Sequence, residues 1–187
     1  MFVNHKVESV SKISMNDYRK QEEQVTLKTF TSADIDDFME WATDDEVTKY
    51  MMWNSYTSRS EAESFFANIV ENHPWFKAIC LGKKAIGSIT LDKGRGMHSC
   101  KAELGYVIAR QYRGNGWATQ AIKLAIQTGF EDLDVERIEA YVDLFNMGSQ
   151  KVLEKNEFQK EGLLRICVIQ KGVVKDRILY ARLKPTE

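Results

Sequence analysis

Residues 103–122 read ELGYVIARQYRGNGWATQAI, and the hydrophobic period changes halfway along them. Up to Ile108 the residues suit a strand, predicted over Cys100–Ile108. From Trp117 the apolar positions recur at helical spacing and predict a helix to Phe130. Between them lies a loop holding Arg110, Gln111, Arg113, Gly114, Asn115 and Gly116. A further strand is predicted at Arg137–Val142 (RIEAYV), so this strand–helix–strand unit should be a right-handed parallel crossover. Glycines let the loop turn tightly, and a helix start offers unpaired N–H groups and the positive end of its dipole. Such a junction suits a phosphate or pyrophosphate, with Arg110 and Arg113 adding charge. On the glycines alone, an ordinary turn before a helix is an equal reading. The loop is not a P-loop, because Gly116 precedes Trp117 rather than Lys-Ser/Thr. Gly114-x-Gly116-x-x-Thr119 also lacks the third glycine of a dinucleotide fingerprint.

Outward from this unit, hairpins predominate. Trp75–Leu81 and Ala85–Asp92 read as strands joined by the Gly82-Lys83-Lys84 turn, and the loop Lys93–Ser99 leads into Cys100–Ile108. Short connections favour antiparallel neighbours. Upstream, a strand at Val25–Phe30 precedes the capping-box pair Thr31/Asp34 and a helix carrying Ile35, Phe38, Met39 and Ala42 on one face. Ser58 and Glu61 open another helix, with stripe Ala62, Phe65, Phe66, Ile69 and Val70, ended by Pro74. Downstream, Asn146 caps a short helix over Met147–Lys155. Strands at about Gly162–Ile169 and Val174–Leu183 then flank the turn Gln170–Val173. The order predicts an α/β (α+β) fold, a mixed twisted sheet covered by helices. Residues 1–24 are polar and read as a poorly ordered extension, with one domain over 25–187.

The 187 residues carry 26 Lys+Arg against 27 Asp+Glu, so no global field favours nucleic acid or an anionic membrane. No apolar run approaches the roughly 20 residues of a membrane helix, and the N-terminus lacks the apolar core of a secretory signal. Cys80, Cys100 and Cys167 are odd in number and far apart, which is no disulfide framework. They read as small buried strand residues in a reducing, cytoplasmic compartment. His5, His73 and His98 show no metal-ligand spacing.

Gln111-x-x-Gly114-x-Gly116 followed by Ala118 resembles the acyl-CoA-binding motif of the GNAT superfamily of N-acetyltransferases. Asn146-x-x-Ser149-x-x-Val152-Leu153-Glu154-Lys155-x-x-Phe158 is similar to a second signature, that of the RimJ/RimL branch. Further likenesses run from Asp34, Trp41, Asp45–Val47 and Trp53 to Glu161–Arg165, Asp176 and Tyr180, so the resemblance spans about residues 25–183. It implies the GNAT fold, a strongly twisted mixed sheet flanked by helices. It also implies acetyl transfer from acetyl-CoA to a primary amine, a protein N-terminus before a polyamine or antibiotic-like amine, in a monomer or homodimer. A non-catalytic acyl-CoA-binding module is the alternative outside enzymes.

The resemblance also implies site roles. Backbone N–H groups over Arg113, Gly114, Asn115, Gly116, Trp117 and Ala118 would cradle the pyrophosphate. Val107 and Ile108 would pair with the pantetheine beside a strand bulge, with an N–H near Val107 facing the oxyanion. Glu103, on the face of Gly105 and Val107, is the candidate base, against a solvated strand carboxylate or catalysis through water alone. Asn146 would bond the pantetheine amides as well as cap its helix. Ser149 is either the proton donor to the thiolate or a small packing residue, since Leu153 occupies the place of the usual tyrosine acid. Trp53 and Tyr56 would border the acceptor, and Met51 and Met52 read more readily as core. The usual glycine before Phe158 is replaced by Glu157, which leaves Asn156 to take the left-handed turn.

Overall fold

Strand β4 (Lys101–Ile108) sits at the centre of a seven-stranded sheet ordered β1-β2-β3-β4-β5-β7-β6. The computed structural model describes residues 24–185, so all but the last residue of the N-terminal extension lies outside them. The other strands are β1 (Val25–Thr29), β2 (Phe76–Leu81), β3 (Lys84–Lys93), β5 (Arg137–Val142), β6 (Gln159–Gln170) and β7 (Val173–Leu183). Among the described strands only β4 and β5 run parallel, joined through α4 (Trp117–Leu133) as the crossover requires; the other neighbours are antiparallel. The remaining helices are α1 (Ile35–Ala42), α2 (Asp45–Thr48), α3 (Arg59–Phe65) and α5 (Met147–Lys155).

The pleat sorts the sheet into two cores. Ile79, Ile89, Leu91, Ala102, Leu104 and Ile138 bury one face under Ala121, Ile122 and Ala125 of α4 and Leu153 of α5. Ala78, Cys80 and Val107 bury the other under Phe38 and Trp41 of α1 and Ala62 of α3. This second core is aromatic: Phe38 stacks on Phe65 with centroids 5.4 Å apart and meets Trp41 edge-on at 4.7 Å.

Several details depart from the sequence expectations. The segment after α3 continues as a π-helical turn over Phe66–Val70, with Glu71 N–H donating to Phe66 O. The extra residue rotates the apolar stripe, so Phe66 and Val70 stay buried while Ile69 turns out to 50% exposure. The helix stops at Val70, ahead of Pro74. Only Cys80 is buried; Cys100 lies in an exposed turn and Cys167 on the exposed bulge of β6. The bulge expected beside Val107 is absent from a β3–β4 ladder that is regular from Gly87↔Ile108 to Lys93↔Ala102. The irregularity falls instead between β2 and β3, at Ile79/Cys80. Finally, Glu157 itself takes the left-handed conformation, φ 63°, whereas Asn156 stays at φ −98°.

Candidate active site

The site arises because β4 and β5 part company. Their pairing covers only Lys101–Glu103 with Arg137–Glu139. Beyond Glu103, β4 holds β3 alone, and beyond Glu139, β5 holds β7 alone. The ladder decides which backbone groups face the gap. Ala109 N–H donates to Ile86 O at 2.8 Å, so the alternation sends the odd residues of β4, Val107 among them, to β3. The backbone of Tyr106 and Ile108 therefore faces the gap. Arg113 confirms the direction, since its Nε donates to Ile108 O at 3.2 Å from that side.

Two cavities open from the gap. One, of about 500 Å³, is bounded by Val107, Ile108, Arg113, Gly114 and Gly116–Thr119 on one side and by the start of α5 on the other. Gly114 and Gly116 stand at φ 85° and 82°, a conformation that favours glycine. Gly116 caps α4, no side chain among the described residues satisfies the first N–H groups of that helix, and the first intrahelical bond is Gln120 N–H to Gly116 O. An anion finds free donors and the positive helix end there.

The second cavity, of about 770 Å³, lies on the other side of the gap. Its floor carries Ser88, Thr90 and Asp92 from β3 and Glu103 and Gly105 from β4; its walls include Met51, Met52, Trp53, Tyr141 and Leu164. Asp92, Glu103 and Glu139 stand side by side across three strands. Glu139 is buried and neutralised by Lys101 Nζ at 2.5 Å and Arg137 Nε at 3.0 Å, contacts that hold its carboxyl below the usual range despite its burial. Glu103 has no such partner among the described residues. Desolvation by the surrounding strands, then Asp92 and Glu139, push its carboxyl above the usual range, against a smaller pull from Lys101. Asp92 accepts from His73 Nε2 at 2.7 Å, and His73 Nδ1 accepts from Trp75 N–H. The backbone thereby fixes the ring's proton on Nε2.

The wall shared by the two cavities is formed by Tyr50, Met51, Tyr106, Asn146 and Ser149. Asn146 caps α5, its Oδ1 accepting from Ser149 N–H at 3.1 Å, while its amide N–H groups find no partner among the described residues. Tyr106 Oη lies 2.7 Å from Ser149 Oγ. Behind the wall runs a buried chain. Arg177 bonds Asp143 Oδ2 at 3.3 Å and Gln170 Oε1 at 2.9 Å, and Gln170 Nε2 donates to Met51 O at 2.9 Å. It ties the β6–β7 turn to the segment carrying Met51 and Trp53.

The sequence profile described as "Acetyltransferase (GNAT) domain" matches residues 24–159. The chain belongs to the GNAT acetyltransferase family. An uncharacterized N-acetyltransferase p20 of Bacillus licheniformis is 33% identical over 173 residues, covering 87% of this chain and 94% of the relative. A spermidine N-acetyltransferase from Vibrio cholerae, solved with CoA and spermine, shares the fold at a TM-score of 0.72 and 23% identity, covering 86% and 95% of the two chains. RimL, a ribosomal L7/L12 α-N-protein acetyltransferase solved with coenzyme A, does so at 0.75 and 18%, covering 86% and 94%.

This GNAT chain is an acyltransferase with acetyl-CoA as cosubstrate. Its smaller cavity fits that molecule, having uncapped N–H groups for a pyrophosphate and strand-edge groups at Tyr106 and Ile108 for amides. Of the residues named for the coenzyme, Val107, Ile108, Arg113, Gly114, Gly116, Trp117, Ala118, Asn146 and Ser149 line it. Arg110, Gln111 and Asn115 do not. Arg110 turns away to Asp44, Nε to Oδ2 3.2 Å, and Asn115 bonds back to Arg113 O. Thr119 and Lys155 line the cavity unforeseen, although a hydroxyl in the first helical turn and a lysine at the end of α5 are the signals that mark them. Of the residues named for base and acceptor, Glu103 and Trp53 line the larger cavity, and Met51 and Met52 line it rather than packing only in the core. Tyr56 does not. It packs on Phe38 and Trp53 at 5.1 and 5.3 Å, and burial pushes its phenol up to about 12. Among the described residues no cluster of three or more His, Cys, Asp or Glu suits a metal, and no helix is long and apolar enough to cross a membrane.

Proposed function

We propose that the protein acetylates the N-terminal amine of a protein or peptide, with Glu103 as base and Ser149 as proton donor, in a complex holding both substrates. The observation that carries this reading is the meeting of two unlike cavities at one wall: an uncapped helix start on one side, and on the other the Glu103 carboxylate, side by side with Asp92 and Glu139. Acetyl-CoA supplies the acetyl thioester. The chain's own groups supply the rest. The N–H groups of Gly114 and Gly116–Thr119 hold the pyrophosphate, with Arg113 and Lys155 nearby. The backbone of Tyr106 and Ile108, rather than Val107, pairs with the pantetheine and faces the oxyanion. The free amide of Asn146 bonds the pantetheine from the facing helix. Glu103, directly or through one water, removes the proton of the ammonium that its charge attracts.

An extended acceptor suits the surroundings. Strand β6 is a sheet edge, and its ladder to β7 is interrupted between Leu164 and Val168, where it borders the acceptor cavity. An open strand edge offers backbone groups to a peptide. A second reading has its own support: Asp92 beside Glu103 gives the floor two carboxylates that no Lys or Arg pairs among the described residues, which suits a polyamine. The exposed, unpaired thiols of Cys100 and Cys167 suit a reducing, cytoplasmic setting. An acceptor screen with acetyl-CoA, peptides of varied first residue and polyamines decides between the two. Peptides should show the higher kcat/KM, and a polyamine ranking first overturns the N-terminal reading.

A further inference from the structure

Ser149 alone is a poor proton donor, because an alcohol gives up its proton far less readily than a phenol or a thiol. The position one turn along α5, from which a phenol could reach the same place, is Leu153, fully buried in the core. A phenol nevertheless arrives, from the opposite side of the gap. Tyr106 extends from β4, just past the point where β4 and β5 separate, and its Oη lies 2.7 Å from Ser149 Oγ. Both side chains belong to the wall between the two cavities. The pair closes a bridge from β4 to α5 where coenzyme and acceptor must meet. Ser149 N–H is taken by Asn146, and the Ser149 carbonyl stands 3.5 Å from the phenol, too far to compete.

We propose that Tyr106 is the proton-supplying partner of Ser149, the two forming a two-hydroxyl relay to the sulfur that leaves the acetyl group. The inference rests on the proposed role of Ser149. As the carbon–sulfur bond breaks, its electron pair stays on sulfur, which takes the Ser149 Oγ proton while Ser149 takes the phenolic proton of Tyr106. The alkoxide of Ser149 never has to form. Glu103 passes the ammonium proton to solvent; the second nitrogen proton, lost from the tetrahedral adduct, moves through water in the acceptor cavity, which Tyr106 also lines, and reprotonates the phenolate. Protons balance over one turnover. Burial pushes the Tyr106 phenol up to about 12, only partly offset by its bond to Ser149, so the relay stays loaded throughout neutral pH.

The test compares Tyr106→Phe, Ser149→Ala and the double variant. Tyr106→Phe keeps the ring and hence the packing, and its thermal midpoint and acetyl-CoA Kd should stay close to wild type. Its kcat should fall by about 10²-fold, as for loss of a general acid. The double variant should be no slower than the worse single variant, as for residues acting as a unit. Binding gives a readout independent of turnover. At pH 9 the wild type should bind CoA about 5–10-fold more tightly than desulfo-CoA, and each single variant should lose that preference. Wild-type turnover in Tyr106→Phe, additive losses in the double variant, or an unchanged CoA/desulfo-CoA ratio each overturn the relay. If no amine is acetylated by the wild type, the acceptor reading fails, while the binding ratio still decides on the pair.

Discussion

The two cavities on either side of Tyr106 and Ser149 are built by different means. The coenzyme side is mostly main chain: a loop of left-handed glycines, an uncapped helix start and the freed edge of β4. The acceptor side is mostly side chain, collected from β3, β4, β5, β6 and the Met51–Trp53 segment. A backbone site depends on one short stretch of chain and tolerates most side-chain changes. A side-chain site depends on the registers of several strands at once, and single substitutions there reset its chemistry. The sharpest test of this contrast is Glu103→Gln. It should lower kcat by about 10²–10⁴-fold and leave the acetyl-CoA Kd within about twofold, measured by steady-state kinetics and calorimetry. As the proposed base, Glu103 must be ionised, and its carboxyl sits above the usual range, so the acidic limb of kcat/KM should lie above that of an ordinary glutamate. Asp92→Asn removes a like charge and should move the limb to lower pH. The same shift has a sign for stability. The folded chain holds the Glu103 proton better than the unfolded chain does, so stability is lost as pH rises through the carboxylate range. Glu103→Gln should therefore melt no lower than wild type at neutral pH.

The contrast also sets what could be read from sequence. The β4–loop–α4 unit was legible because period, glycines and helix start all lie within residues 103–122, and the β2–β3 and β3–β4 ladders follow from short connections. The acceptor floor was legible only at Glu103, where alternation along one strand suffices. Asp92 joins it through the Asp92↔Glu103 register, and Tyr106 reaches Ser149 across 43 positions of sequence. Neither follows from local spacing. Nor does the displacement of Arg110, which depends on Asp44 lying beside the loop in space. Tyr56 misled because an aromatic in a cluster looks alike whether it lines a cavity or packs against Phe38.

Within the coenzyme side, the two loop arginines offer a smaller but cleaner comparison. Arg113 lines the cavity and is anchored to Ile108 O, whereas Arg110 is paired with Asp44 outside it. Arg113→Ala should weaken acetyl-CoA about tenfold, the size of one charge-assisted hydrogen bond, with little change in kcat. Arg110→Ala should change the Kd by less than about twofold. Equal losses would mean that Arg110 leaves Asp44 when the coenzyme binds.

The smallest expected effect lies at the end of α5, where main-chain geometry and side-chain identity disagree. Phe158 N–H donates to Leu153 O at 3.1 Å and Glu157 N–H to Glu154 O at 3.0 Å, the bonding of a Schellman stop. That stop places residue 157 at φ 63°, where glycine is favoured and a side chain costs about 1 kcal/mol. The compensating contact is Glu157 with Arg182 at 2.8 Å, but the Glu157 side chain is 77% exposed, so the pair contributes little. Glu157→Ala keeps the strained backbone and loses the pair; Glu157→Gly loses the pair and the strain together. Glu157→Gly should exceed Glu157→Ala in unfolding free energy by about 0.5–1 kcal/mol, less than the full strain because glycine also frees the unfolded chain. Denaturant midpoints at equal slope would measure it. Acetyl-CoA affinity should be the same in both variants, because both keep the main-chain bonds of the stop and leave Lys155 at the coenzyme cavity, and a change in affinity would mean that the stop sets the position of Lys155.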